Sequence, residues 1–325
     1  MGITLRNVTG SVLTYGQVDT NFSSLYYSAS QSGNNLVLHT TGSFVQAATT
    51  TTFNLGLGYN TIATGIYSHA EGDTTRALGN YSHAEGYLTL ATGSQSHAEG
   101  TNTTASGYYS HAEGQNSLAS GDSSHAEGYA TTASEVYSHA EGYNTHAAYW
   151  GSHAEGVGTR TTNYYAHAEG LSTLASGGSS HAEGHSVTAS GDYSHAEGYV
   201  NRAIGPWSHA EGTNTVAFET GSHAEGYYTV ASGLYQHVQG QFNISSSVQS
   251  AFIHGNGTSD SSRSNLIYAS GNTVEITGSL MLKDILVLAP RTTTPTPSAG
   301  MVIVSGSGAD QHIYCYLNST WKQLD

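Results

Sequence analysis

Thirteen histidines stand fourteen residues apart with no insertion or deletion between them: His69, His83, His97, His111, His125, His139, His153, His167, His181, His195, His209, His223 and His237. Twelve open the tetrapeptide His-Ala-Glu-Gly. This brings Glu71, Glu85, Glu99, Glu113, Glu127, Glu141, Glu155, Glu169, Glu183, Glu197, Glu211 and Glu225 into the same phase, and the last unit reads His237-Val238-Gln239-Gly240. Loops of a globular domain vary in length, so an unbroken period means one supersecondary unit stacked on copies of itself.

Each unit is two similar halves. With His at position 0, Ser fills −1 in eleven of thirteen units and Thr or Ser fills +6 in ten of twelve. Ala fills +1 in twelve of thirteen and +8 in eleven of twelve, Thr161 being the exception. Gly fills +3 throughout and +10 in eight of twelve. The half-period of seven reads as four strand residues and a three-residue corner opened by Gly, which takes backbone angles costly to other residues. Strand alternation puts Ser −1 and Ala +1 on one side, and His 0 and Glu +2 on the other. A coil this short has room inside only for the small set. At ~4.8 Å per coil the run is roughly 60 Å long. Position +7 varies freely (Arg76, Leu90, Thr104, His146, Arg160, Val230), as expected of a solvent-facing place. The unvaried His-Glu strand is expected to face something equally repetitive, most simply another copy of the chain. An alanine interior buries little apolar surface, and a single thin roll is marginal on that account. Self-association is therefore expected of this all-β parallel β-solenoid, with the thirteen histidines and twelve glutamates as an interface ladder between copies.

The repeat SHAEGxxTxASGxY resembles the head repeats of trimeric autotransporter adhesins, and is closer still to SHAEG-repeat proteins of phage tails. The resemblance covers about residues 56–240, with Gly58 to Gly65 as a leading half-coil. It implies a left-handed parallel β-roll, a homotrimer and an adhesive fibre. In the adhesins the His and Glu places are often Val and Ile, and here the sequence departs from them.

The flanks divide the rest. Residues 1–55 form an attachment or trimerisation region. Leu13 to Leu25 resembles a segment near the start of phage tail-fibre proteins, and Val18, Phe22 and Leu25 share one face of a short helix. Residues 56–240 are the shaft and 241–289 a transition region. The latter resembles the segment after the SHAEG repeats in phage proteins with a self-cleaving chaperone tail, although no Ser-Asp catalytic pair can be placed. Residues 290–299 are a Pro-Thr linker. Residues 300–325 alternate around a Gly-rich turn, a β-hairpin pattern, and resemble terminal modules of phage fibres. Tyr314, Tyr316 and Trp321 mark this tip as a candidate receptor contact.

Charge and composition narrow the function. The net charge is −15, and 12 of 23 acidic residues are ladder glutamates; without them 8 basic residues face 11 acidic ones, a net of −3. Nucleic acid, which needs a basic face, is not an expected partner. Cys315 is the only cysteine, which excludes an intrachain disulfide framework. No apolar run suits a membrane span, and the first residues lack the apolar core of a secretory signal. The expectation is a virion-borne fibre, made without a signal peptide, that docks to the particle through its N-terminal region and to a host glycan or protein. The alternatives are a bacterial surface adhesin and a self-processing fibre precursor.

The ladder invites sharper readings. Imidazole and carboxylate are metal ligands, and a His-Glu pair can move protons. Uniform rungs supply neither the single cluster of a dedicated metal site nor the one asymmetric pocket of an enzyme, so no catalytic residue, metal or cofactor is assigned. The expected state is a network in which His donates to Glu, with His pKa values raised and Glu values lowered. Tyrosines at −2 (Tyr67, Tyr81, Tyr109, Tyr137, Tyr165, Tyr193, Tyr235) and +4 (Tyr87, Tyr129, Tyr143, Tyr199, Tyr227) are read as corner residues that stack on one another, with sugar stacking as the sharper reading. His39, His146, His185, His254 and His312 are read as ordinary surface or packing residues.

Overall fold

The computed structural model describes residues 54–281, 301–305, 312–317 and 319–324. They fall into two compact units divided after Glu275. The expected N-terminal helix around Val18, Phe22 and Leu25, and the 290–299 linker, lie outside the described residues. Among the described residues there is no helix, hence none long and apolar enough to cross a membrane.

The first unit is a parallel β-solenoid of fourteen-residue coils. Each coil contributes a five-residue strand to one sheet and a two-residue strand to another. His125–Tyr129, for example, pairs in parallel with the strands before and after it, His125 opposite His111 and His139, and Glu127 opposite Glu113 and Glu141. Thr132–Ala133 does the same between Leu118–Ala119 and His146–Ala147. Identical register at each step is what the unbroken period demands: a one-residue slip would turn every alanine outward. The first coil is whole rather than a half. Leu55–Tyr59 pairs with His69–Asp73 along its full length and puts Leu55 and Leu57 at the His and Glu places.

The interior is as small as the pattern requires. From Ala70 to Ala154 the core cluster is alanine alone, every residue fully buried. Ser −1 and Thr +6 are buried beside it. The serines repay their burial at the corner: the Ser82, Ser96 and Ser110 hydroxyls each donate to the carbonyl three residues back, at 2.7 Å. The corners themselves differ from the expectation. The first strand runs through Gly +3 to +4, so tyrosines such as Tyr129 and Tyr143 end strands. The left-handed turn residues are instead +5, as in Asn102 and Asn144, and −2, as in Tyr109 and Tyr137, with φ between 54 and 58°. Gly +3 is required for a different reason. At Gly142 φ is 105°, and a Cβ would lie 2.2 Å from the carbonyl oxygen of Gly156 in the next coil.

The roll ends where the repeat breaks. His237–Gln241 pairs with Phe252–Asn256, after which Asn265–Ser270 turns antiparallel and pairs with Thr273–Ile276. Alanine yields to the larger, fully buried Val238 and Ile253, with Tyr268 packed on them. Gln236 replaces the −1 serine. Its Oε1 accepts from the Ser232 and Gly233 amides and its Nε2 donates to the Ser246 carbonyl. Asn243 replaces the +6 threonine and pairs with both the amide and the carbonyl of Val230. The Arg263 guanidinium donates to the carbonyls of Tyr228 and Asn243. The exposed end of a parallel stack thus has its backbone groups satisfied, as buried polar groups require.

The second unit contains a three-stranded antiparallel sheet, Val302–Ser305, His312–Leu317 and Thr320–Gln323, with the middle strand central. The two-stranded hairpin expected here gains a third strand because Leu317 and Thr320 meet across a tight turn carrying Ser319 at φ 63°.

Candidate functional site

Strand alternation and the fourteen-residue register together place all thirteen histidines in one row and the glutamates in a parallel row beside them. The imidazoles form a continuous stack. Centroids of neighbouring rings are 4.6–4.9 Å apart, and from His83 to His223 the planes differ by 14° or less. Strand spacing alone sets that distance, so the stack is a consequence of the repeat rather than of ring attraction.

From His69 to His181 each Nε2 faces the carboxylate of its own coil at 3.3–3.8 Å. Towards the C-terminal end the pairing moves back one coil: His223 to Glu211 at 3.8 Å and His237 to Glu225 at 3.6 Å, with His209 between Glu197 and Glu211. Glutamate exposure falls along the same direction, from 56% at Glu71 to 31% at Glu225. None of these contacts is a hydrogen bond, and all thirteen Nε2 atoms are buried without a hydrogen-bond partner. The expected network of His donating to Glu is therefore not formed within the chain.

The titration follows from this geometry: six ladder histidines and two glutamates move against the expected direction, and Glu225 moves with it. Burial, then the positive field of the next imidazole, holds His97, His111, His139, His181 and His223 below the ordinary histidine range. His153 falls to about 4, through burial and the imidazoles on both sides. Two charged rings at stacking distance repel by about 3.5 kcal/mol at an effective dielectric near 20, and the partly exposed glutamates do not compensate. Burial and the neighbouring Glu127 push Glu113 up. The neighbouring carboxyls of Glu225 and Glu197, with burial, raise Glu211; for Glu225 burial pushes upward, but Glu211 and the flanking His237 and His223 prevail and lower it.

Triplets such as His97, Glu99 and His111 bring ligand atoms within 4.8 Å of one another. Parallel stacked rings aim their nitrogens in the same direction, so two of them do not converge on one ion ~2.1 Å from each. The best-formed groove among the described residues runs over Glu183, Glu197, Glu211 and Glu225 to Gln239 and His254. It is an open continuation of the ladder.

His254 differs from the ordinary residue that the sequence pattern suggests. The register sets it opposite Gln239, at the end of the glutamate row; the one-residue insertion before Phe252–Asn256 hides it from a strict fourteen-residue count. His185 stacks on Tyr199 at 5.0 Å, and the His146 Nε2 meets the Ser134 hydroxyl at 3.0 Å. His312 lies on the central strand of the C-terminal sheet, and His39 lies outside the described residues. In that sheet Tyr314, Tyr316 and Trp321 come to one face, because Tyr314 and Tyr316 are two apart and Trp321 is paired with Tyr316. The Tyr316 and Trp321 rings meet at 5.3 Å.

The fold and its ladder define an adhesin-like β-solenoid repeat protein. The YadA head domain repeat matches residues 84–110, 112–134 and 203–218, all within the roll. No curated protein matches the chain.

Proposed function

We propose that the chain is the shaft of a homotrimeric adhesive fibre, non-enzymatic, with the His-Glu rows at or near the contacts between copies. The observation that carries this reading is the core. Thirteen consecutive buried core positions from Ala70 to Ala154 are alanine, and a roll closed on so little apolar area is stabilised by joining others. The YadA head match supports the same arrangement. The particular fibre we propose is a phage tail fibre, docked through residues 1–55 and meeting a host through the sheet bearing Tyr314, Tyr316 and Trp321. A bacterial surface adhesin is the second reading, favoured by the family match itself.

Sedimentation of the full chain at micromolar concentration is expected to give three times the chain mass, and a stable folded monomer overturns the shaft reading. Removing residues 290–325 is expected to abolish cell binding while leaving the trimer intact; unchanged adsorption moves the receptor contact elsewhere. Finding the chain in purified virions selects the tail fibre, and finding it in an outer-membrane fraction selects the adhesin.

A further inference from the structure

The corner at −2 carries a second periodicity, twice the first. Tyr81, Tyr109, Tyr137, Tyr165 and Tyr193 occupy it in alternate coils, while Gln95, Ser123, Gly151 and Ser179 fill it between them. All five tyrosines have left-handed backbone, with φ from 53 to 58°. A bulky residue held there costs about 1–3 kcal/mol; the equivalent turn at +5 carries Asn102, Asn116, Asn144 and Asn214 but also Thr74, Leu88, Val200 and Tyr228. Ring contacts within the chain offset part of that cost, Tyr81 stacking on Tyr67 at 5.4 Å and Tyr193 on Trp207 at 5.8 Å. The five rings remain 56–62% exposed. Where a neighbour is glycine, the ring leans back over it: a Cβ at Gly151 would lie 3.0 Å from Cδ1 of Tyr165. Trp150 lies between Tyr137 and Tyr165 at 6.0 and 4.9 Å and joins the row into one aromatic platform at its centre. The left-handed corner belongs to the fold, since Gln95, Ser123 and Ser179 share it, but tyrosine does not, and the result is a file of exposed rings on alternate coils.

We propose that this file binds an extended, neutral, β-1,4-linked polysaccharide lying along the roll. Alternate coils are ~9.6 Å apart, close to the slightly longer advance of two sugar units in a chain of two-fold screw symmetry. Every second sugar then presents the same C–H face to a tyrosine, and apolar C–H groups meet the electron-rich ring face that favours such contacts. Polar groups stand beside the rings. Asp192, next to Tyr193, accepts the Gly178 amide at 2.8 Å through one carboxylate oxygen, and Asp122 accepts the Tyr108 amide at 2.9 Å in the same manner. Asp122 and Asp192 beside the rings oppose an acidic polymer, which is why the ligand is neutral. This inference rests on the adhesive-fibre reading and names its ligand class and the surface that takes it.

The test uses the full chain with insoluble cellulose and chitin, soluble cello- and chito-oligosaccharides of increasing length, and α-linked amylose as the control. Retention on a β-linked polymer, with affinity rising in steps of two sugars, is expected. The triple variant Tyr109→Ser, Tyr137→Ser, Tyr165→Ser is expected to bind about tenfold more weakly or worse, each lost stacking contact being worth ~0.5–1.5 kcal/mol. Serine already occupies this corner at Ser123 and Ser179, so the variant keeps the backbone, and sedimentation checks that its oligomeric state is unchanged. Absence of retention, equal binding of amylose, or full binding by the triple variant overturns the proposal. A variant that falls apart into single chains also overturns it, by assigning the rings to a contact between copies. Cell adsorption separates the two readings: adsorption that survives the triple variant but not removal of residues 290–325 keeps the fibre and discards the tyrosine file.

Discussion

The two sheets of the roll share one interior and carry opposite outer surfaces. Inside, both present alanine and small hydroxyl side chains, all buried. Outside, the five-residue strands repeat His and Glu without change, whereas the two-residue strands carry Arg76, Leu90, Thr104, His146 and Val216 in turn. Pairing is the same on both sides, parallel and in register. The variable sheet demonstrates that the coil closes whatever stands outside. The fold therefore does not require His and Glu, in keeping with the proposal that the uniform face lies at a contact between copies. Leu55 and Leu57 make the same point within the His-Glu sheet, where they take the ladder places in the first coil.

The likeness of the two sheets is broken most completely at the glycine on which neighbouring coils depend. Gly142→Ala would force a Cβ to 2.2 Å from the Gly156 carbonyl oxygen, at φ 105°. A loss of about 3 kcal/mol or more per chain is expected from strain and overpacking together, read as a fall in melting temperature or as failure to assemble. A melt close to that of the native protein would mean that the coils can separate locally. Next in size is the contrast of inside with outside. Ala126→Leu, at a fully buried place, is expected to cost about 1–3 kcal/mol per site. Leu118→Thr, on the half-buried outer row of the variable sheet, is expected to cost less than about 1 kcal/mol. Equal shifts would reverse the assignment of the faces.

The smallest and most diagnostic effect is that of pH on the uniform face. A histidine whose folded pKa is lowered takes up its proton more readily in the unfolded chain. Its neutral form stabilises the fold fully above the unfolded value of ~6.5, and that contribution is lost as pH falls towards the folded value, about 4 for His153. Glu113 and Glu211, raised, act in the opposite sense at lower pH and offset part of the loss. The melting temperature is thus expected to fall between pH 7 and pH 4 and to stay level from pH 7 to pH 9. Replacing His and Glu by Val and Ile in several central coils is expected to flatten the acid limb and leave the coils intact. A maximum on the acid side of neutrality would restore the protonated network that the sequence implied.

The sequence alone determined the stacked coil, its length, its register and which residues line it, because a strict period of fourteen with small residues at fixed places admits one threading. It also placed the histidines and glutamates in rows. It misplaced the corners, since Gly +3 is needed for close approach between coils and not for the turn, and such an approach exists only between residues fourteen apart. It took the last histidine at the Glu place, His254, for an ordinary one, because a one-residue insertion removes it from phase. It also implied the wrong direction for six ladder histidines and for Glu113 and Glu211. Residue types announce that His and Glu are near each other. Only the tertiary structure decides that the imidazoles stack on one another, that each Nε2 is sealed from water without a hydrogen bond, and that burial outweighs the attraction of half-exposed carboxylates.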